Sequence, residues 1–439
     1  MIQMTKKRDS IGSLYDRAGE DVNIAGWVEN VRDLKTMQFV TVRDNTGIVQ
    51  VTNEKTGSYL DDAISSLTPD STVTVQGKII RNEGVKLGQM EIKLKDLEVH
   101  SYAQKPLPTD ENSPLENRLE WRFVDLRKKK NNLIFSIQTT AEHAMRNYWL
   151  DNGFIEIHSP KLVEGASESG AELFQLDYFD RRASLAQSPQ FYKQMAMAAG
   201  FERVFEIGPV FRANPSYTRR HDTEFTSVDV EISWIDSHKD IMDFEERWLQ
   251  YVLGEVEAKH GKEIKYSFNI EVKVPVVPFP RVSMKEAYKI LEKAGHETCR
   301  DEKGDIDPEG ERRISKYISD NFNHEFVFVE DYPITARPFY HMRYHDSPDT
   351  TKSFDLIWKG LEVTTGAQRE HRYEKLLSQA KEKNVDVKSI NHYLNFFKYG
   401  CPPHGGYGFG LTRMLMVLLG AQNVREVTYV YRGPNRLTP

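Results

Sequence analysis

Between Val22 and Val99 the chain passes through five short stretches that alternate apolar and polar residues: VNIAGWVENV, QFVTVRD, GIVQVTNE, STVTVQGKII and MEIKLKDLEV. Turn residues such as Asp44-Asn45-Thr46-Gly47 separate them. Period-two alternation bounded by turns is the pattern of half-buried strands. Five strands in roughly eighty residues predict a small barrel that closes on itself, and a five-stranded OB-fold is the architecture that fits.

The stretch SYAQKPLPTDENSPLENRLEWRF follows, with three prolines and no sustained periodicity, and reads as a hinge. The expected organisation is a barrel over residues 1–103, a hinge over 104–130 and a second domain over 131–439. In that domain Ile134, Ile137, Ala141, Ala144 and Tyr148 recur at helical spacing, and Asn152-Gly153 supplies a stop. Later strands include RVFEIGPVFRA, EFTSVDVEISWI, EFVFVED, SFDLIWKG and LEVTTG, in no regular alternation with helices. That order predicts an α+β domain with a mainly antiparallel sheet flanked by helices.

Composition excludes several classes. With 39% hydrophobic and 28% charged residues over 439 positions, the chain has the make-up of a globular protein rather than a disordered one. No apolar run is long enough to cross a membrane and the N-terminus lacks an export pattern, so a cytoplasmic location without membrane partners is expected. Cys299 and Cys401 match no metal-ligand spacing and point away from disulfide or zinc chemistry. A net charge of -6 argues against indiscriminate nucleic-acid binding but leaves room for one structured RNA on a local basic face.

The chemistry concentrates in the second domain. Phe211 to Phe225, FRANPSYTRRHDTEF, gathers Arg212, Arg219, Arg220, His221 and Glu224 between two aromatics. Guanidinium forks suit phosphate or carboxylate, and an aromatic beside them offers a base a stacking face, although an isolated TRRH is more often a solvated basic tip. Strand parity favours the ligand: Phe225, Ser227, Asp229, Glu231 and Ser233 share one face, while Val228, Val230 and Ile232 share the other. A phenylalanine among carboxylates packs poorly but serves well as an adenine platform.

In SFDLIWKGLEVTTG a two-residue turn at Lys359-Gly360 pairs Trp358 with Leu361 and Ile357 with Glu362, which leaves Asp355 and Glu362 diagonal on one face. Two converging carboxylates call for a cation, and a magnesium ion carried by nucleotide phosphates answers that need. In QSPQFYKQMAMAAG, Ser188 and Pro189 open a helix with Gln190 and Lys193 on one face. Lys193 with Arg369 would suit an anionic side chain, but parity from Glu362 turns Arg369 away unless Gly366 permits a bend. PPHGGYGFGLTR reads as a glycine-rich loop that brings backbone close to a ligand, with Arg413 opening a buried helix. It is neither a P-loop nor a dinucleotide fingerprint.

Taken together, GFIEIHSP, FRAN through EFTSVDVE, and GYGFGLTR resemble, in order, the three motifs of the class II aminoacyl-tRNA synthetases. The whole chain resembles the aspartyl enzymes of the archaeal and eukaryotic cytosolic type. The resemblance implies a homodimer with Pro160 at the interface. It gives ATP to Arg212, Asn214, Arg220, His221, Glu224, Phe225, Glu362 and Arg413, with Arg212 and Arg413 catalytic, and magnesium to Asp355 and Glu362. It gives L-aspartate to Glu168, Ser188, Gln190, Lys193, Asp229 and Arg369, and the anticodon to Arg32, Phe39 and Gln50 on the barrel.

The implied activity is an aspartate–tRNA ligase that forms aspartyl-adenylate and charges tRNA(Asp), with tRNA(Asn) open as a second acceptor. In the family that choice depends on the surroundings of Glu29 and of the Lys86-Leu87-Gly88 turn, and the latter resembles aspartate-only enzymes. Three departures stand out: Asn214 where the family usually has glutamate, Thr412 where it has an acidic residue, and VYRGP near the C-terminus. Asn214 and Thr412 keep open a tRNA-binding paralogue without catalysis, and another amino-acid ligase on the same fold, an asparaginyl-tRNA synthetase or related amide-forming ligase, is the other alternative.

Overall fold

The computed structural model describes residues 8–165, 173–215, 218–296 and 301–439. The chain divides into two compact units, Met1–Lys129 and Lys130–Pro439.

In the first unit β1 (Asp21–Asp33), β2 (Met37–Arg43), β3 (Ile48–Glu54), β4 (Thr72–Arg81) and β5 (Met90–Ser101) close into a barrel in the order β1-β2-β3-β5-β4. The helix α1 (Tyr59–Ser65) lies between β3 and β4 in the chain. The alternation seen in the sequence is the core itself: Val22, Ile24, Val40, Val42, Val49, Val51, Val73 and Val75 are buried together. Gly26 and Gly77 sit where the barrel walls press closest, since a Cβ at either would meet a carbonyl oxygen, of Arg43 at 2.2 Å or of Lys93 at 2.4 Å. The stretch read as a hinge carries two short helices, α2 (Leu115–Glu120) and α3 (Arg122–Asp125). Arg118 and Arg122 both bond the buried Asp125, at 2.9 and 2.7 Å, which gives these turns an ionic centre.

The second unit starts with α4 (Lys129–Asp151), whose buried residues include Ile134, Ile137, Ala141 and Ala144 and which Gly153 at φ 77° helps to end. There follow β6 (Ile155–Glu156), β7 (Leu162–Val163), β8 (Gln175–Tyr178), β9 (Arg181–Leu185), α5 (Gln190–Ala198), β10 (Arg203–Phe211), β11 (Glu224–Ser233) and α6 (His238–Phe268). Then come β12 (Arg281–Ser283), α7 (Met284–Lys293), α8 (Pro308–Phe322), β13 (Phe326–Glu330), β14 (Ser353–Trp358) and β15 (Leu361–Arg369). The unit finishes with α9 (Tyr373–Glu382), α10 (Asn391–Asn395), β16 (His404–Gly410), α11 (Leu411–Leu418) and α12 (Val424–Val427).

Eight of these strands form one sheet in the order β12-β13-β14-β15-β16-β11-β10-β6, and β7, β9 and β8 form a small second sheet. Only the β12–β13 and β6–β10 pairs of the large sheet are parallel. One face is packed by α4, α6 and α11 through Trp149, Trp248 and Leu415, which meet Phe409 of β16, with Trp149 stacked on Trp248 at 5.2 Å. Val228 and Val230 of β11 belong to that core, as parity requires. Among the described residues no helix is long and apolar enough to cross a membrane.

One sequence expectation is corrected here. The glycine-rich stretch is not a loop but β16, a central strand between β11 and β15. Its glycines are a matter of space: a Cβ at Gly406 would lie 2.0 Å from the Val230 carbonyl oxygen. Three strands approach so closely there that the middle one carries almost no side chains on the open face.

Candidate active site

The open face of the large sheet floors a cavity of about 530 Å³. A row of cross-strand partners runs across the sheet, Asp229–Gly408–Thr365–Asp355, so that Gly408 and Thr365 separate two carboxylates. From β11 come Phe225, Ser227 and Asp229, from α5 and the residues before it Ser188, Gln190 and Lys193, and from α11 Arg413.

Lys193 and Arg369 meet in this cavity, but each is already engaged. Lys193 Nζ lies 2.9 Å from Asp229 Oδ1 and 3.5 Å from Glu231 Oε2. Arg369 donates from Nε to Glu231 Oε1 at 3.1 Å and from NH2 to the Gly406 carbonyl at 3.0 Å, and its NH1 lies 3.0 Å from His341 Nε2. An arginine cannot accept, so that imidazole nitrogen must be the acceptor. Burial, then the charges of Arg369, Arg337 and Lys193, hold His341 well below the usual histidine range and therefore neutral. Gln190 donates to Gln194 at 2.8 Å, and Ser188 Oγ accepts from the Gln190 amide at 3.3 Å.

Arg369 reaches the cavity by a route the sequence reading placed elsewhere. The hairpin register is as expected, with Trp358 opposite Leu361 and Ile357 opposite Glu362. The register then shifts between Leu356 and Ile357, where β15 spends an extra residue, so Leu356 faces Thr364. That bulge reverses parity and brings Thr365 and Arg369 to the same side as Glu362. The bend is thus at Val363, not at Gly366, whose missing side chain instead admits the Phe354 ring; a Cβ there would meet Phe354 Cζ at 2.2 Å.

At the other end of the cavity Arg212 lies over the Phe225 ring, 5.5 Å from its centre. Arg413 donates from NH1 to the Glu362 carbonyl at 3.0 Å and to Glu362 Oε1 at 3.2 Å. Arg220 donates to Glu311 of α8 at 3.1 Å. His221 is driven down to about 4 by burial and by the neighbouring Arg413 and Arg220, so it is a neutral imidazole here. Asn214 also lines the cavity. Glu224 does not join them: it is exposed at the first residue of β11.

Asp355 is buried one strand further on and is not part of the cavity wall. Its Oδ2 accepts from Arg337 at 2.6 Å, and Oδ1 is buried with no hydrogen bond. Burial raises the Asp355 carboxyl, against the pull of Arg337 and with help from Glu362. Glu362 goes the other way: burial would raise it, but Arg413, Arg337 and Arg220 hold it below the usual range. One unsatisfied carboxylate oxygen beside a second, ionised carboxylate is a donor set that suits a hard divalent cation.

Several residues escaped the sequence reading. Arg337 and His341 come from the connection between β13 and β14, where no periodicity marks them, and Glu311 comes from the first turn of α8. Glu231 was legible by parity with Asp229. Asp222, in the cavity wall, is pushed up to about 7 by burial and accepts from Thr428 Oγ1 at 3.3 Å. The arginine-bearing loop is also tied to the C-terminal segment by Val424 N to Arg219 O at 2.9 Å and Thr223 N to Arg432 O at 3.1 Å. Glu168 and Cys299 lie outside the described residues. Pro160 is exposed between β6 and β7.

On the barrel, Arg32, Phe39 and Gln50 form one cluster. Arg32 stands 5.0 Å over the Phe39 ring and donates to Gln50 Oε1 at 3.0 Å, and Gln50 Nε2 donates to Glu91 at 2.9 Å. Gln50 is more buried than an outward-facing residue would be, because these two partners cover it.

Comparison with known proteins places both units. Residues 114–431 match the model of the class II tRNA synthetases (D, K and N), and residues 22–99 match that of the OB-fold nucleic acid binding domain. The chain is 41% identical to the aspartate–tRNA(Asp/Asn) ligase of Aeropyrum pernix over 98% of both chains. It is 42% identical to the aspartate–tRNA(Asp) ligase of Pyrococcus horikoshii over 96% of this chain and 97% of the other. Among solved structures, asparaginyl-tRNA synthetase from Pyrococcus horikoshii complexed with asparaginyl-adenylate superposes with a TM-score of 0.90 at 31% identity, covering 99% of this chain and 100% of that one. Aspartyl tRNA synthetase from Entamoeba histolytica superposes with a TM-score of 0.87 at 29% identity, covering 100% and 94%. A barrel joined to an antiparallel sheet whose open face carries this cluster of arginines and carboxylates thus has full-length counterparts, and the chain belongs to the class II tRNA synthetases of the D, K and N group, alongside the archaeal aspartate–tRNA ligases.

Proposed function

We propose that the chain is an aspartate–tRNA ligase that works in two steps in this cavity. The α-carboxylate of L-aspartate attacks the α-phosphorus of ATP and pyrophosphate leaves. A hydroxyl of the terminal ribose of tRNA(Asp) then attacks the aspartyl carbonyl of the adenylate and AMP leaves. No protein nucleophile is needed, so the site acts by positioning and electrostatics.

Arg212 and Arg413 neutralise charge building on the α-phosphate. Arg220 and the neutral His221 face the outer phosphates, and Phe225 carries the adenine ring with Arg413 on its other side. Asp355 and Glu362 would hold a magnesium ion, which supplies charge neutralisation to the phosphates when bound. Lys193 and Arg369 take the side-chain carboxylate of aspartate with Ser188, Gln190 and Asp229 in support, and Glu168 serves the ammonium end. Asn214 borders the nucleotide, and Pro160 belongs to the interface of a homodimer.

The observation that carries the choice of aspartate is the placement of Glu231 between two cations. A carboxylate substrate presents only acceptors to Lys193 and Arg369, which are donors only. An amide brings no charge to the two cations and turns a donor NH2 group toward them; Glu231, ion-paired with both, has a single oxygen, Oε2, that accepts no hydrogen bond. Buried donors left unpaired make the amide the poorer ligand.

The test is exchange of labelled pyrophosphate into ATP, with magnesium and without tRNA, for aspartate and asparagine in parallel. Aspartate should support exchange and asparagine should be on the order of 100-fold weaker or more. Equal exchange with asparagine would make the chain an asparaginyl enzyme. Silence with both, from folded protein, would leave a tRNA-binding protein without catalysis. Charging of tRNA(Asn) is measured beside tRNA(Asp), because relatives of equal similarity carry both names.

A further inference from the structure

The ATP site proposed above contains an ion pair that its phosphate contacts do not explain. Glu311 sits in the first turn of α8, which opens with Pro308 and is capped by Asp307 Oδ1 accepting from the Gly310 amide at 2.8 Å. Its carboxylate is almost sealed and points back at the sheet. Oε2 accepts from Arg220 NH1 at 3.1 Å and from the Glu362 peptide N–H at 3.1 Å, and Oε1 lies 3.3 Å from the same NH1. The turn between β14 and β15 is seated on this helix: a Cβ at Gly360 would come within 2.9 Å of Arg312 Cγ and 3.0 Å of Arg312 Cα. Backbone contact therefore sets the distance from Glu311 to β15.

We infer that Glu311 is a positioning residue for Arg220, fixing one corner of its guanidinium and tying it through the Glu362 peptide to the carboxylate end of β15. The inference rests on the reading of this cavity as an ATP site. The resulting chain of contacts is Arg220–Glu311–Glu362–Arg413, and it joins two arginines carried by separate elements. Two features separate positioning from simple competition with phosphate. Both Glu311 oxygens meet NH1, so Glu311 does not engage the other two nitrogens of the fork. Arg220 also shares the cavity with Arg212 and Arg413, and like charges would push an untethered arginine toward solvent.

The experiment is a double-mutant cycle of wild type, Glu311→Gln, Arg220→Ala and the double variant, in the aspartate-dependent exchange assay. Each single change should raise the ATP KM by about 10-fold, the loss expected for one charge-assisted contact, with the aspartate KM moved less than about twofold. The double variant should match Arg220→Ala alone, because Glu311 acts through Arg220. An unchanged or lower ATP KM in Glu311→Gln, or a double variant near the product of the two losses, overturns the inference. Should Glu311→Gln fail to fold, Glu311→Asp, which keeps the charge but withdraws it by one methylene, takes its place under the same criteria. Absence of exchange in the wild type would count against the ATP-dependent reading, not this one; calorimetric binding of magnesium-ATP to the same proteins then decides the cycle.

Discussion

Lys193 Nζ lies 2.9 Å from Asp229 Oδ1, and both side chains are almost closed to solvent, at 3% and 5% exposure. The lysine also donates to the Tyr407 carbonyl at 3.0 Å, so a cation from α5 is bonded to β11 and β16 at once. The residue proposed to hold the substrate carboxylate is thereby part of the fold.

Lys193→Leu should for that reason damage stability and specificity together. It leaves Asp229 and Glu231 buried with one counter-ion fewer, a loss of about 3–5 kcal/mol. Urea unfolding measures that term, and exchange at saturating aspartate should be lost in the fraction that remains folded. A variant with full stability and a normal aspartate KM would remove Lys193 from the pocket.

The glycines of β16 are not equivalent, and alanine separates them. At Gly406 the new methyl would collide with the Val230 carbonyl at 2.0 Å, and both partners are central strands that cannot yield. Gly406→Ala should lose about 3 kcal/mol or more. At Gly408 the nearest atom is Asp229 Oδ1 at 3.4 Å, an ordinary contact, so Gly408→Ala should fold normally. Its methyl enters the substrate cavity beside Asp229 and should raise the aspartate KM about 10-fold, the effect of one methylene in a pocket. Thermal midpoints and KM values for the two variants check the contrast.

Much of this was legible because period-two alternation survives wherever a strand has one dry face. Val22, Ile24, Val40 and Val42 mark the barrel, and Val228 and Val230 against Ser227 and Asp229 mark β11. The β14–β15 register was legible from its turn. The bulge at Val363 was not, since no residue type demands it, and one unseen bulge inverts the facing of everything after it. β16 was misread because a glycine-rich strand lacks the side chains by which strands are recognised. Arg337, His341 and Glu311 reach the site from irregular segments or a helix start, so their roles depend on tertiary placement alone.

Glu245 of α6 should make stability depend on pH. It is fully buried behind the sheet, with Thr364 Oγ1 donating to Oε1 at 2.6 Å and Oε2 without a hydrogen bond. Burial pushes its carboxyl up to about 8, against about 4.3 in an unfolded chain. A group whose pKa is raised by folding contributes stability that is complete below its unfolded value and is lost as pH rises toward the folded one. The wild type should therefore lose stability between about pH 5 and pH 8, and Glu245→Gln should flatten that slope by an amount on the order of a few kcal/mol. Urea titrations of both proteins at the two pH values give the difference; parallel slopes would mean that Glu245 is ionised in the folded protein.

The cluster on the barrel predicts a separation of functions. Phe39 is half-buried under the Arg32 guanidinium, and Gln50 is oriented by Arg32 on one side and Glu91 on the other. A stacking face beside an oriented amide is what an unstacked base requires. Phe39→Ala should weaken tRNA(Asp) binding by about 1–3 kcal/mol, the usual loss of one base stack. It should leave tRNA-independent exchange unchanged, because the barrel and the catalytic sheet have separate cores. Gln50→Ala should act in the same direction and be more sensitive to the anticodon sequence, since an amide reads base edges where a ring does not. Filter binding with tRNA(Asp) and an anticodon-substituted transcript tests both: equal affinities of wild type and Phe39→Ala would take the anticodon away from this face of the barrel.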